Sequence, residues 1–303
     1  MEFGSKIWLN GKILDANKTS TSLFTYSLHY STGVFEGIRC FKAQSGLMVF
    51  RLKEHIARLF NSAKEYGIKI PYTEEQIAEA CKTVVRENGY RDFYIRPIIY
   101  YGAGALGLNA PGNPVETAIM VWMWPSYLGK EGEEKGVRCT VSSWRKIPNE
   151  SLPQYAKCTA NYANSSLAKR QATERGYEEA ILLNTRDLVA ECTGENLFIV
   201  KNGNLKTPQL SAGILEGITR DSIITIAKKL NISVLETDIT KEELMDADEV
   251  FLTGTAAGIK LVSEIDGRKL DVQNAKVYKK LKSFYNRVIS GQEPNFDEWL
   301  EKI

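Results

Sequence analysis

Lys157 stands in a setting that suggests covalent chemistry at its amine. The turn-rich stretch 146–153 precedes it and a helical pattern runs from Asn161 to Gly176, so we predict that Lys157 lies on a loop just before a helix. A lysine amine attacks a carbonyl only after it loses a proton, which burial and nearby cations promote. A single lysine is more often a solvated surface charge, so this interpretation depends on the motifs that follow it.

Two glycine-containing segments further along the chain could bind an anion. Gly217–Thr219 precedes an apolar helical pattern, which puts its backbone N–H groups at a helix N-terminus, where the dipole favours negative charge. Thr219 could equally be a simple N-cap, and the two roles are compatible. Gly254–Ala257 follows a predicted strand and offers a hydroxyl and further amides, although an ordinary turn would look the same. Together with Lys157, these segments predict an enzyme with an anionic cofactor.

Six motifs along the chain, taken in order, resemble those of one enzyme family. They are His29–Arg39, Tyr94–Pro97, Lys157-x-x-x-Asn161-Tyr162, Ala190–Phe198, Gly217–Asp221 and Ala247–Ala257. This series resembles the fold-type IV pyridoxal-phosphate aminotransferases, and most closely the branched-chain amino acid aminotransferases. The resemblance implies a transaminase that moves amino groups between leucine, isoleucine or valine and 2-oxoglutarate, as at least a homodimer.

The resemblance also implies an α+β fold with two domains. We expect a small α/β domain over residues 1–123, an interdomain loop over 124–136 and a larger pseudo-barrel α/β domain over 137–303, with the cofactor between the domains. The sequence agrees with this class, because hairpin signals such as Asn10-Gly11 are mixed with amphipathic helical patterns instead of alternating in βαβ units. We predict that the strand starting near Phe93 ends or bulges at Pro97.

By resemblance, Lys157 is the catalytic residue and binds the aldehyde of pyridoxal 5'-phosphate. Glu191 faces the pyridine nitrogen and keeps it protonated, and Tyr162 binds the ring hydroxyl. Read alone, Glu191 would be a surface residue at a strand end and Tyr162 a core tyrosine. The full set of implied cofactor-binding residues is Arg58, Lys157, Tyr162, Glu191, Leu215, Gly217, Ile218, Thr219, Gly254 and Thr255.

Arg58 is the residue on which periodicity and resemblance disagree. On a helix it lies roughly 140° from the centre of the apolar face that Leu52, Ile56 and Leu59 define, which predicts a solvated side chain. The resemblance instead makes it the arginine that binds the cofactor phosphate.

The substrate site is predicted around Tyr94 and Arg96, which are two residues apart on a predicted strand and so project to one face. An edge-strand pair without function would have the same spacing. The resemblance assigns substrate binding to Tyr30, Phe35, Gly37, Tyr94, Arg96, Leu108, Trp124, Tyr127, Thr255 and Ala256. In this scheme the apolar members accept the branched side chain, and the amides of Thr255 and Ala256 take the α-carboxylate.

Composition excludes several other classes of function. The 39 basic and 37 acidic residues give a net charge of +2, which offers no footprint for a nucleic acid. No apolar run approaches the roughly 18 residues that span a bilayer, and we expect a cytoplasmic protein. Five widely spaced cysteines and two histidines predict neither a disulfide framework nor a metal site. Cys158 and Cys192, beside Lys157 and Glu191, are interpreted as small buried side chains.

Three alternative functions remain open at this level. An (R)-amine or D-amino acid transaminase and a lyase such as aminodeoxychorismate lyase would share the cofactor motifs, but the Tyr94-x-Arg96 pair argues against them. A non-catalytic binding protein with the same fold would bind the cofactor without transferring an amino group.

Overall fold

A computed structural model describes residues 1–89, 91–109, 112–124 and 135–303. The chain divides into two compact units, and each unit is built on its own mixed or antiparallel sheet. The first unit comprises Met1–Pro125, Ala156–Ala160 and Val288–Ile303, and the second comprises Ser126–Tyr155 and Asn161–Arg287. Helices and sheets occur in both units, so the predicted α+β class is confirmed.

The first unit packs two helices on an antiparallel sheet whose strand order is β18-β6-β5-β7-β8-β2-β3, with β1 paired to β8 and β4 to β7. Apolar residues at helical spacing on α2 and α3 enter the same core as alternate strand residues. A capping box between Thr73 and Gln76 starts α3. The elements are β1 (Glu2–Phe3), β2 (Lys6–Leu9), β3 (Lys12–Asp15), α1 (Tyr26–Tyr30), β4 (Gly33–Phe35), β5 (Ile38–Ala43), β6 (Gly46–Phe50), α2 (Leu52–Glu65), α3 (Glu74–Glu87), β7 (Tyr94–Tyr101), β8 (Val115–Met123) and β18 (Leu300–Lys302).

The prediction that a strand ends or bulges at Pro97 is wrong, since β7 continues through it to Tyr101. On one side β7 pairs first with β5 and then with β4, and Pro97 faces the break between them, where its carbonyl accepts from the Glu36 N–H at 2.9 Å. A strand residue directs its N–H and C=O to the same side, so the N–H that proline lacks falls where no ladder bond is required.

The second unit carries a sheet with the order β11-β10-β9-β16-β15-β12-β13-β14, and β17 pairs with β16. Most pairs are antiparallel, whereas β9 runs parallel to β10 and β16, and β13 runs parallel to β14. The elements are β9 (Val137–Arg145), α4 (Asn161–Glu174), β10 (Glu179–Leu183), β11 (Val189–Cys192), β12 (Asn196–Lys201), β13 (Asn204–Pro208), α5 (Ile218–Lys229), β14 (Val234–Thr237), α6 (Lys241–Asp246), β15 (Glu249–Gly254), β16 (Gly258–Ile265), β17 (Arg268–Lys269) and α7 (Lys276–Ile289).

The two units are not contiguous in sequence, whereas the predicted domains are. Ala156–Ala160 belongs to the first unit because it pairs with β4, with a bridge between Val34 and Cys158. The C-terminal segment joins the same unit because β18 pairs with β6. Most of the predicted interdomain loop, residues 125–134, lies outside the described residues.

The described helices include none that is long and apolar enough to span a membrane. All five cysteines are buried free thiols, in agreement with the packing role predicted for Cys158 and Cys192.

Candidate active site

Backbone hydrogen bonds fix the loop that carries Lys157 against β4 and α2. The Phe35 N–H donates to the Lys157 carbonyl at 3.0 Å, and the Thr159 N–H donates to the Gly33 carbonyl at 2.8 Å. The Lys157 N–H in turn donates to Ser62 Oγ on α2 at 2.9 Å. Both β4 and α2 therefore hold the Lys157 backbone. Its place on a loop just before α4 agrees with the prediction.

The Lys157 amine occupies an environment that favours its neutral form. Burial lowers the pKa of Lys157 to about 8, and the nearby Arg58 guanidinium acts in the same direction while the Glu36 carboxylate opposes it. Its Nζ lies 5.0 Å from the centroid of the Phe35 ring. With a pKa of about 8, roughly a tenth of the amine is neutral at pH 7, far more than for an ordinary lysine.

Arg58 is largely buried, so the solvated position predicted from periodicity is wrong. Its side chain is 13% exposed because it pairs with the buried carboxylate of Glu36, through Nε to Oε1 at 2.6 Å and Nη2 to Oε2 at 2.9 Å. His55, one turn earlier on α2, donates from Nδ1 to the same Oε2 at 2.7 Å. The apolar stripe of α2 predicts only the face that packs on the hydrophobic core. A second face of the helix is also buried, because the buried Glu36 carboxylate lies against it.

Arg96 lies among aromatic rings in the same unit. Its Cζ is 4.5 Å from the centroid of Phe35, 5.3 Å from that of Tyr94 and 5.2 Å from that of Trp122. Nη2 donates to the Tyr94 hydroxyl at 3.2 Å, and Nε is buried without a hydrogen-bond partner among the described residues. The predicted common face of Tyr94 and Arg96 is thus present, and the guanidinium has a donor suited to an added anion.

Gly37 belongs to this cluster because a larger residue would not fit there. A Cβ at this position would collide with the Tyr94 hydroxyl, so glycine allows the tyrosine to approach the backbone. The Trp124 ring centroid lies 5.1 Å from that of Tyr94, which places this predicted substrate residue in the same group.

Two other predicted substrate residues are exposed, and one cannot be described. Tyr30 bonds through its hydroxyl to the Leu106 carbonyl, and the side chain of Leu108 is 82% exposed. In the single chain Leu108 therefore projects into solvent. Tyr127 lies outside the described residues.

Glu191 is buried in the second unit and accepts three hydrogen bonds. Lys146 Nζ donates to Oε1 at 2.6 Å, while Asn196 Nδ2 and the Leu215 N–H both donate to Oε2 at 3.0 Å. The interpretation of Glu191 as a solvated strand-end residue is therefore wrong. Three donors, one of them cationic, satisfy the buried carboxylate, and the backbone contact places Leu215 next to it.

Glycine at the N-terminus of α5 allows a neighbouring residue to lie close to the helix backbone. Gly217 is the N-cap and no side chain caps the helix, so Thr219, in the first turn, is not the N-cap. A Cβ on Gly217 would collide with the Asn196 amide oxygen. Ile218 and Thr219 are buried, and the first-turn N–H groups lie at the helix N-terminus, where the sequence predicts an anion-binding site.

The remaining predicted cofactor and substrate residues lie in one turn and at one helix start. β15 ends at Gly254, and the half-buried Thr255 and Ala256 form the turn into β16. A Cβ on Gly254 would lie 3.2 Å from both Glu195 Cγ and the Gly194 carbonyl, which makes glycine the best fit. Tyr162 is half-buried in the first turn of α4.

Sequence reasoning missed four residues that hold Arg58 and Glu191 in place. Glu36 and His55 fix Arg58, while Lys146 and Asn196 fix Glu191. Glu36 and Asn196 stand inside the motifs His29–Arg39 and Ala190–Phe198, which could have drawn attention to them. Lys146 and His55 have no sequence signal, because only the fold brings them to their partners.

Comparisons with known proteins agree with this arrangement. The pattern of the family "Amino-transferase class IV" matches residues 33–265. A branched-chain-amino-acid aminotransferase of Pseudomonas aeruginosa is 39% identical, over 97% of this chain and 95% of its own length. The crystal structure of the Escherichia coli branched-chain amino acid aminotransferase superposes with a TM-score of 0.96 at 38% identity, covering 99% of both chains.

A third similar protein was solved with a bound cofactor derivative. The branched-chain amino acid aminotransferase of T.th., complexed with N-(5'-phosphopyridoxyl)-L-glutamate, has a TM-score of 0.93 and 42% identity, covering 99% of both chains. Matches of this length and identity, together with the family pattern over more than half of the sequence, confirm the resemblance first seen in the six motifs. The chain belongs to the class IV aminotransferase family.

Proposed function

We propose that this protein is a pyridoxal-phosphate-dependent transaminase that moves the amino group between the branched-chain L-amino acids leucine, isoleucine and valine and 2-oxoglutarate. The observation that carries this proposal is that Lys157 Nζ and Arg96 Cζ lie 5.0 and 4.5 Å from the centroid of one ring, that of Phe35. A reactive amine therefore lies beside an apolar surface that carries the Arg96 cation. The rings suit a branched alkyl group, and the cation suits the second carboxylate of glutamate.

The residues present fit pyridoxal phosphate. When bound, this cofactor supplies an aldehyde for the amine and a ring that withdraws electrons from the substrate. Lys157 would hold the aldehyde and, freed when the substrate amine takes its place, would move the substrate α-proton, while Glu191 would hold a proton on the ring nitrogen. Tyr162 would donate to the ring hydroxyl and Leu215 would pack against the ring. The phosphate would be bound by Arg58, Gly217, Ile218, Thr219, Gly254 and Thr255.

The substrate is held by two groups of residues. Tyr30, Tyr94 and Arg96 address the carboxylate of the glutamate side chain, and the amides of Thr255 and Ala256 address the α-carboxylate. Phe35, Gly37, Leu108, Trp124 and Tyr127 form the apolar pocket. The glutamate adduct in the similar T.th. structure supports glutamate as one of the two amino donors.

We also propose a homodimer in the cytoplasm. The large apolar side chains of Leu23, Phe24, Leu28 and Leu108 are exposed in the single chain. The Tyr26 hydroxyl donates to the Leu108 carbonyl at 2.8 Å, which brings the α1 region and the Leu108 loop together. Exposed apolar side chains in neighbouring segments are a usual feature of a protein interface, and a second copy would cover them.

Amino-donor screening against 2-oxoglutarate tests the function. L-leucine, L-isoleucine and L-valine should be converted, with glutamate as the second product. Preference for D-amino acids or amines would replace this proposal by the rival transaminases. Bound cofactor without any transfer of an amino group would favour the non-catalytic binding protein.

We predict that Arg96→Leu selectively impairs the half-reaction with glutamate. Only glutamate and 2-oxoglutarate bring a second carboxylate to the aromatic cluster, and losing one charge-assisted hydrogen bond costs about 1.5–3 kcal/mol, or roughly 10- to 150-fold in kcat/KM. Stopped-flow half-reactions with leucine should change far less. Arg86→Leu, which removes an arginine paired with Glu79 on α3, is the matched control. An equal loss with both amino acids would mean that Arg96 supports the fold or the α-carboxylate.

A further inference from the structure

Glu36 is a fully buried carboxylate in the short break between β4 and β5. Its Oε1 accepts from Arg58 Nε, and its Oε2 accepts from Arg58 Nη2, His55 Nδ1 and the Gly37 N–H, the last at 3.2 Å. Taking a carboxylate out of water is costly unless it is paired and hydrogen-bonded. Both oxygens of Glu36 meet this requirement, so the orientation of the carboxylate group is closely defined.

The backbone around Glu36 is fixed as well. The Glu36 N–H donates to the Pro97 carbonyl at 2.9 Å, and the preceding Phe35 N–H donates to the Lys157 carbonyl at 3.0 Å. The carboxylate is thus attached to the same frame as the reactive lysine. An arginine that it holds therefore keeps a constant position relative to Lys157.

The pairing of Glu36 with Arg58 joins two N–H donors of the guanidinium, Nε and Nη2, to the two carboxylate oxygens. A two-point contact defines the plane of the guanidinium, which a single contact does not. We propose that Glu36 is a positioning residue that orients the Arg58 guanidinium toward the cofactor phosphate. This inference rests on the proposed function, since it takes Arg58 as a phosphate ligand.

His55 supports the same arrangement from the helix side. Burial lowers the pKa of His55 more than the neighbouring Glu36 raises it, so the imidazole is neutral and donates its Nδ1–H. Although burial opposes ionisation, the Arg58 charge and the His55 contact hold the pKa of Glu36 below its usual range. The carboxylate keeps its charge for Arg58, and His55 fixes the position of the carboxylate without adding a second cation.

The test compares two cofactor forms that differ only in the phosphate. Apoenzyme prepared from the holoenzyme is titrated with pyridoxal phosphate and with pyridoxal, and visible absorbance gives each Kd. For Glu36→Gln we expect the Kd of pyridoxal phosphate to rise about 10- to 100-fold, the usual effect of losing a residue that orients a ligating group. The Kd of pyridoxal should change less than about threefold, and Glu36→Asp, which keeps the negative charge, should restore part of the loss.

A double-mutant cycle with Arg58→Leu separates positioning from general stability. In the Arg58→Leu background, Glu36→Gln should have no further effect on the ratio of the two Kd values. Glu249→Gln is the matched control, because Glu249 is a buried carboxylate that accepts from the Val277 and Tyr278 N–H groups at the start of α7. It should lower the melting temperature without changing that ratio.

Three results would overturn the inference. They are an equal loss of affinity for both cofactor forms, an effect of Glu36→Gln that persists in the Arg58→Leu background, and tighter binding of pyridoxal phosphate. The last result would mean that Glu36 competes with the phosphate for Arg58. If Glu36→Gln does not fold, the smaller loss expected for Glu36→Asp carries the comparison between the two cofactor forms. Failure of the proposed function gives a different result, because the wild-type protein would then transfer no amino group from L-leucine, L-isoleucine or L-valine, whatever the two Kd values.

Discussion

Lys157→Ala is expected to abolish turnover together with the visible absorbance of the lysine-bound cofactor. Burial and the Arg58 charge lower the pKa of Lys157 to about 8, which makes its amine available as a nucleophile near neutral pH. If Lys157 has the proposed roles, the variant loses both the covalent attachment and the group that moves the substrate α-proton. We expect turnover to fall by several orders of magnitude, measured with leucine and 2-oxoglutarate, and the absorbance band to disappear.

Lys146 provides the control for the Lys157 variant. Its amine donates to the buried Glu191 carboxylate at 2.6 Å, so it is already engaged in an ion pair. Lys146→Met should keep the absorbance of the lysine-bound cofactor. Wild-type turnover by Lys157→Ala would show that another lysine is the nucleophile.

Glu191→Gln is expected to leave the cofactor bound but to slow removal of the substrate α-proton on the order of 100-fold or more. In the proposed role the carboxylate keeps the ring nitrogen protonated, which a neutral amide would not do. The amide also places N–H groups against the donors Asn196 Nδ2 and Leu215 N–H and leaves the buried Lys146 without its counter-charge. We therefore expect a lower melting temperature as well as a slower half-reaction, measured by stopped flow.

Lys146→Met separates the loss of stability from the slower half-reaction. It removes the same buried ion pair while the carboxylate remains, so it should lower stability with a smaller loss of the α-proton rate. Equal slowing in both variants would assign the effect to the ion pair. An unchanged half-reaction in Glu191→Gln with a full complement of cofactor would remove Glu191 from its proposed role.

Local patterns in the sequence were sufficient to predict the class of the protein and most of its elements. The helices α2 and α3 follow from apolar spacing, and the first hairpin follows from Asn10-Gly11, because these signals depend on neighbours along the chain. The order of six motifs identified the family, and family membership carried the roles proposed for Lys157 and Glu191. The sequence thus determined which chemical groups this protein has.

Only the tertiary structure decided the surroundings of those groups. Periodicity placed Arg58 in solvent, yet Glu36, 22 positions earlier, makes that side of α2 an interior. Pro97 reads as a strand end, yet it faces a break between two partner strands. Burial and charge at Lys157, like the pairing of Lys146 with Glu191, depend on residues far apart in sequence. Electrostatic energies vary with distance in space, and distance in space is set by the fold.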